Sequence, residues 1–264
     1  MSTSPSTQVS VDFGSHIARV TLDRPEVRNA FNDATIQELT DAFRTLDADN
    51  KVRAIILAAN GPAFCAGADL NWMKRMAGYS EAENRADAVN LAMMLNAIYA
   101  CRKPVIARIQ GDAYAGGTGL VAACDIAVSV NSAHFCLSEA RLGLIPATIA
   151  PYVIRAMGPR AAHRYFVTAE KFDATEASRI RLVHQVVSCD RLDASVEAIA
   201  EAIVANSPNA VTECKKLASD FAHREIDTRL IDDTADRIAQ IRASDEGREG
   251  IRSFLEKRKP SWLI

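Results

Sequence analysis

Apolar residues alternate with Arg19 and Thr21 between Ile17 and Leu22, and the run ends at Asp23-Arg24-Pro25-Glu26, which predicts a strand closed by a proline turn. Beyond it Ile36, Leu39, Phe43 and Leu46 recur at spacings of three and four, with Asn32 or Asp33 placed to cap them, so a helix with one buried stripe follows. VRAIILAA, residues 52–59, reads as a fully buried strand of the kind found in parallel sheets. Ser80-Glu81-Ala82-Glu83 has capping-box spacing, and the stretch to Tyr99 sets Ala88, Leu91, Leu95 and Ile98 along one helix face. KPVIARIQG, DIAVSV and HFCLSE read as further strands, DIAVSV after a Gly-rich turn and a short helix. After Gly143 the pattern turns helical in MGPRAAHRYFVTA, Asp173 caps DATEASRI, and LVHQVV forms a late strand. From about residue 191 only helices remain: LDASVEAIAEAIVAN stops near Asn206, and Ser207-Pro208 supplies the cap and first turn of the next.

Strands with helical crossovers followed by helices alone predict an α/β core and a C-terminal helical part. There is no internal repeat of fixed period. MSTSPSTQVS has neither an apolar core nor arginines and reads as a short disordered tail over residues 1–10, and Asp125 breaks the longest apolar run well short of the ~18 residues a membrane span needs.

With 264 residues, 48% of them hydrophobic, the chain can bury a sizeable core. A net charge of −2 with both signs interspersed argues against nucleic acid or an anionic membrane as partner, and the basic clusters at 102–104 and 256–260 are short. The cysteines at 65, 101, 124, 136, 189 and 214 form no CxxC pair and read as buried thiols in a reducing, cytoplasmic setting. No GxSxG occurs, and His16, His134, His163, His184 and His223 sit in no recognisable motif, so they read as surface or structural residues. Nothing calls for a metal or a redox cofactor.

Candidate chemistry lies in two turns and one acid. PAFCAGADLNWMKRM and QGDAYAGGTGLVAACD share a plan of strand, small-residue turn and helix. Small residues let the backbone approach a ligand, and a helix N-terminus offers unpaired N–H groups with partial positive charge. If the two ends converge, they can hold an oxygen that gains negative charge, one such donor contributing about 2.7 to 4 kcal/mol. Each turn taken singly is also consistent with mere tight geometry, and GGTG is not a dinucleotide fingerprint. FCLSEARLGLIPA sets Glu139 in a mostly apolar run, where a carboxylate is either turned to solvent or kept for chemistry.

The ordered succession RPEVRNAF, PAFCAGADL, QGDAYAGGTGLVAACDIAVS, FCLSEARLGLIPA and GIRSFLEKRKP resembles the enoyl-CoA hydratase/isomerase, or crotonase, superfamily from about residue 11 to 264. The resemblance implies an α/β spiral of strand-strand-helix turns over residues 11–200. It also implies a helical subdomain over 201–264 used for trimer contacts, often within a dimer of trimers. The implied ligand is an acyl-CoA, with CoA arriving as part of the substrate and no separate cofactor. Its thioester oxygen would sit between the backbone N–H groups of Ala68 and Gly116. Arg28, Ala30, Ala66, Asp69 and Leu70 match positions that line the CoA, mostly through backbone groups, and Gly117 and Gly119 join the substrate-binding set. Phe254 and Lys257 match C-terminal positions that approach CoA, at times that of a neighbouring subunit, although Lys257 equally fits an ordinary solvated lysine.

Hydratases of this kind typically use two glutamates. The second falls on Glu139, and the first falls on Gly119. A single carboxylate can serve both proton movements of hydration, because the water supplies the hydrogen that ends on C2. Double-bond migration needs only one acid, so the loss favours an isomerase on chemical grounds. DLNWM and FCLSEARLGLIPATIAPYVI, however, are most similar to bacterial methylglutaconyl-CoA hydratase-type members. Hydration of an enoyl-CoA is therefore the first reading, isomerisation the second, and a non-catalytic CoA-binding protein the alternative from another class. A glycine at 119 also suggests room for a branched acyl group, and Arg181 stands where the family commonly has glycine.

Overall fold

The computed structural model describes residues 7–222 and 224–264; His223 and the first six residues of the expected tail lie outside them. Ten strands are described: β1 Val9–Phe13, β2 Ile17–Leu22, β3 Ala54–Ala59, β4 Ala63–Cys65, β5 Val105–Ile109, β6 Asp112–Tyr114, β7 Ile126–Val130, β8 His134–Cys136, β9 Phe172–Asp173 and β10 Gln185–Val187. The helices are α1 Asp33–Ala48, α2 Leu70–Met76, α3 Glu81–Tyr99, α4 Gly116–Ala123, α5 Ala150–Thr168, α6 Ala174–Arg179, α7 Leu192–Val204, α8 Pro208–Phe221, α9 Thr228–Ala243 and α10 Asp245–Leu255. None of the described helices is long and apolar enough to cross a membrane.

Two sheets carry the core, one in the order β1-β2-β3-β5-β7-β10 and a smaller one in the order β4-β6-β8-β9. Pairing is parallel throughout except between β1 and β2 and between β8 and β9. The connectivity repeats: β3, β5 and β7 each enter the large sheet, the chain crosses to β4, β6 and β8 in the small one, and helical structure then returns it. This is the α/β spiral of strand-strand-helix turns that the resemblance implied. Every residue of β3 is buried, as a central parallel strand covered on both faces requires.

The helix ends follow the side chains that cap them. Asn32 accepts from Thr35 N to open α1, and Ser80 and Glu83 exchange both bonds of a capping box at α3. Asp173 opens α6 and Ser207 opens α8 with Pro208 in its first turn. In α5 the run around Met157 starts earlier than its pattern suggested and is broken at Gly158, φ 78°, before Pro159. Arg181 closes α6 with φ 69°, a left-handed conformation that glycine adopts at less cost, and its N–H still bonds Ser178 O.

Several expectations need correction. Val9 and Ser10, assigned to the tail, are paired in β1 with Leu22 and Thr21. The boundary at residue 200 cuts through α7, whose Leu192, Val196 and Ala200 are buried against β3, β5 and β7, so α7 belongs to the core and the outlying helices begin with α8. Of the cysteines, Cys65, Cys101 and Cys136 are buried and Cys124 is partly so, but Cys189 and Cys214 are exposed, because apolar neighbours in sequence do not fix which side of a helix or turn faces the core.

Candidate active site

The first Gly-rich turn runs from β4 into α2. It is laced to the loop before α1 by Ala66 N donating to Arg28 O at 3.0 Å, Phe31 N to Gly67 O at 2.9 Å and Asp69 N to Phe31 O at 3.0 Å. These bonds use the N–H groups of Ala66 and Asp69, and Gly67 N donates to Cys65 Sγ at 3.4 Å; the N–H of Ala68 meets no acceptor among the described residues. Asp69 is buried, accepts from Asn71 N and Trp72 N to cap α2, and pairs with Arg24 at 3.0 Å. Burial alone would raise its pKa, but the Arg24 guanidinium and the two backbone donors hold it below the usual carboxylate range. The Asp69 side chain is therefore committed to ordering the turn.

The loop that laces this turn is itself bent by Arg28 and Asn29, both left-handed at φ 54° and 55°. Asn29 is fully enclosed: its Oδ1 accepts from Arg24 N, and its Nδ2 donates to Asn60 O and Ala63 O at 2.7 and 2.9 Å. An asparagine tolerates this conformation and satisfies three backbone groups at once. Ala30 is buried beside it. Arg28 is exposed and, with Pro62, Ala63, Ala66, Asp112 and Tyr114, lines a cavity of about 250 Å³.

The second turn leads from β6 into α4. Ala115 is held at φ 49°, ψ −120°, a conformation that L residues rarely adopt, with its N–H bonded to Cys136 O at 2.7 Å and its O accepting from Gly119 N at 3.2 Å. Gly116 is then the first residue of α4, where a backbone N–H has no partner within the helix. The two turns press together. A Cβ on Gly67 would lie 3.1 Å from the Ala115 Cβ and 3.7 Å from Gly116 N, and one on Gly117 would lie 2.3 Å from Cys65 O. Glycine at 67 and 117 is what lets the backbones of the two turns meet.

Glu139 starts the 3-10 turn Glu139–Leu142 that follows β8. Three residues upstream, Cys136 O accepts from Ala115 N, so the segment carrying the acid is pinned to the second turn. Glu139 Oε2 is sealed from solvent with no hydrogen-bond partner among the described residues, and burial raises the carboxyl above its ordinary pKa. The lone acid is thus not a solvated loop residue. The Cys65 thiol, which accepts from Gly67 N in the first turn, is pushed up to about 12 by burial and stays neutral.

Gly119 does not open the pocket as expected. A Cβ there would lie 2.2 Å from Cγ2 and 2.7 Å from Cβ of Ile149, which is 2% exposed at the start of α5. The volume vacated by a missing side chain is already filled, so the expected space for a branched acyl group at this position is absent. Leu70 projects from α2 at 74% exposed. Phe254, 82% exposed, and Lys257 lie at the end of α10, which packs on α8 and α9; among the described residues neither forms a hydrogen bond to the two turns. Sequence reasoning passed over Arg24, Asn29, Thr118 and Ile149. Only Asn29 carried a signal, as an asparagine following a proline-started turn.

Two N–H groups without acceptors among the described residues, on turns that adjoin, and a carboxyl of raised pKa on a segment pinned to one of them, are the groups needed to stabilise an oxyanion while a proton moves at the neighbouring atom. Comparison with known proteins gives the family. The sequence profile of enoyl-CoA hydratase/isomerase matches residues 12–263. A Legionella pneumophila structure assigned as an enoyl-CoA hydratase/isomerase (crotonase) is 43% identical with a TM-score of 0.93, covering 97% of this chain and 99% of that one. An enoyl-CoA hydratase structure from Shewanella pealeana is 42% identical with a TM-score of 0.94, covering 97% and 96%. Crotonyl-CoA hydratase of Syntrophomonas wolfei is 32% identical over 249 residues, 94% of either chain. With a match over nearly its whole length and the motifs in place in three dimensions, the chain belongs to the enoyl-CoA hydratase/isomerase family.

Proposed function

We propose that this protein adds water across the 2,3 double bond of an enoyl-CoA thioester. The observation that carries the reading is Glu139: a half-buried carboxyl of raised pKa, its Oε2 without a partner among the described residues, on the segment tied to the turn where Gly116 N–H meets no acceptor among them. In the proposed reaction the thioester oxygen accepts from Ala68 N and Gly116 N, which stabilise the enolate formed as water attacks C3. Ionised Glu139 takes a proton from that water and returns one to C2, so atoms balance with a single acid. CoA enters as part of the substrate. Arg28, Ala30, Ala66, Leu70 and Gly117, with the main chain of Asp69, are proposed to line its path, and Phe254 and Lys257 to meet the CoA of a neighbouring subunit in a trimer or dimer of trimers.

Double-bond migration is a second reading, favoured by one observation: Ile149 fills the space beside Gly119, so no second acid projects from α4 there. One base that removes a proton from C2 and returns it to C4 suffices for that reaction. A branched, methylglutaconyl-like acyl group rests on the resemblance in DLNWM and the segment after Glu139, without the volume argument. Incubation with 2-enoyl, 3-enoyl and 3-methylglutaconyl thioesters separates these readings by product mass, because hydration adds about 18 Da and isomerisation adds none. Glu139→Gln should lower turnover by roughly 10² to 10⁴ while acyl-CoA still binds. Unchanged conversion by that variant would remove Glu139 from the chemistry.

A further inference from the structure

We infer that Thr118 is a positioning residue for this reaction, its hydroxyl fixing the Gly116 N–H relative to the segment that carries Glu139. The inference rests on the proposed use of those two groups. Thr118 is fully buried at the third residue of α4. At the third position of α4 no carbonyl of the helix lies one turn back for the hydroxyl to bond. The hydroxyl donates to Ala113 O at 2.8 Å, with Cys136 O at 3.3 Å sharing the same proton.

These two oxygens belong to the strands on either side of the turn. Ala113 lies in β6, which feeds the turn, and Cys136 ends β8, three residues before Glu139. Cys136 O also accepts from Ala115 N at 2.7 Å, so one carbonyl is contacted from both ends of the strained turn. Strained backbone persists only where several contacts over-determine it. Without the hydroxyl, Ala113 O loses its 2.8 Å donor and the turn keeps only the Ala115 bond to β8. The N–H of Gly116, one residue after Ala115, would then be free to swing away from the thioester oxygen. Because catalysis needs this donor aimed at where charge develops, small misorientation costs turnover rather than ground-state binding.

Thr118→Val has nearly the same shape and lacks only the donor, and Thr118→Ser keeps the donor without the methyl. In the whole protein, we expect Val to lower kcat on the order of tenfold, with KM for the acyl-CoA changed less than about twofold, and Ser to restore most of kcat. The second measurement is amide hydrogen exchange followed by mass spectrometry on the peptide containing Ala115 and Gly116. Protection there should fall by on the order of tenfold in Val, return in Ser, and stay unchanged in β3. Equal kcat and equal exchange in Val and wild type would overturn the inference, as would a Val variant whose protection falls uniformly across the chain. Wild-type protein that converts no enoyl thioester would sink the proposed function instead, and the exchange comparison would still decide whether Thr118 holds the turn.

Discussion

A half-buried glutamate with one carboxyl oxygen sealed from water and unpartnered is a liability to the folded state, and among the described residues Glu139 is in that condition. Because burial raises its pKa in the folded chain, folding favours the protonated acid. Stability should therefore fall as pH rises from the ordinary glutamate value of about 4.3 through the higher folded value, and the full penalty should apply above it. Glu139→Gln is expected to unfold at a higher temperature than wild type at pH 8, with the difference vanishing below about pH 4. Thermal melts at the two pH values check this; a variant less stable at pH 8 would mean that the carboxylate has a stabilising partner. The proposed base must be ionised, so kcat/KM should decline toward acid with an apparent pKa above the ordinary one, a limb that Gln abolishes. An acid in an apolar run singled out Glu139 in the sequence but left open whether it faced solvent, and only the resemblance gave it a role. Thr118 was not legible, because Cys136, one of its two acceptors, is brought near only by the pairing of β6 with β8, and Asn29 showed only its place after a proline turn, since the fold alone brings Asn60 and Ala63 to it.

At the scale of elements, what could be read depended on length and on caps. α1 and α3 are long enough for their buried stripes to show a period, and Asn32, Ser80, Asp173 and Ser207 mark where helices begin. β9, with two residues, is too short for any alternation and went unread, while β4 and β6, with three each, showed only as the strand ahead of each Gly-rich turn. The contact of α4 with the start of α5 was equally hidden, since Gly119 and Ile149 are joined by packing and not by any periodicity. That contact makes a clear prediction. Gly119→Ala should destabilise by about 1 to 3 kcal/mol through overpacking. Ile149→Ala should cost about 2 to 5 kcal/mol through the cavity it leaves. The double variant should cost less than the sum, because each change relieves the other. Urea titrations of the four proteins measure the coupling, and strict additivity would show that the two side chains do not share the space.

At the scale of the whole molecule, the order of the motifs along the chain foretold the spiral, since each glycine-rich turn follows a strand crossing from one sheet to the other. How copies assemble leaves a different trace, in the side chains that the spiral does not cover. Ile251, Phe254 and Leu255 lie at spacings of three and four on α10 and are more than half exposed, while Ile231 and Ile238, seven residues apart on α9, also face outward. Such a stripe normally faces a core, and neither α8 nor the spiral covers it. A second copy of the chain is the partner expected from the trimer reading, which would also bring Phe254 and Lys257 toward a neighbour's CoA. Light scattering during size exclusion should give the mass of three or six chains, and a Phe254→Asp, Leu255→Asp variant should shift it toward one. The same variant should raise KM for acyl-CoA if the neighbour's Phe254 contacts the ligand, whereas dissociation without any change in KM would confine this face to assembly. Wild type eluting as a single chain at tens of micromolar would instead leave the stripe without the partner assigned to it.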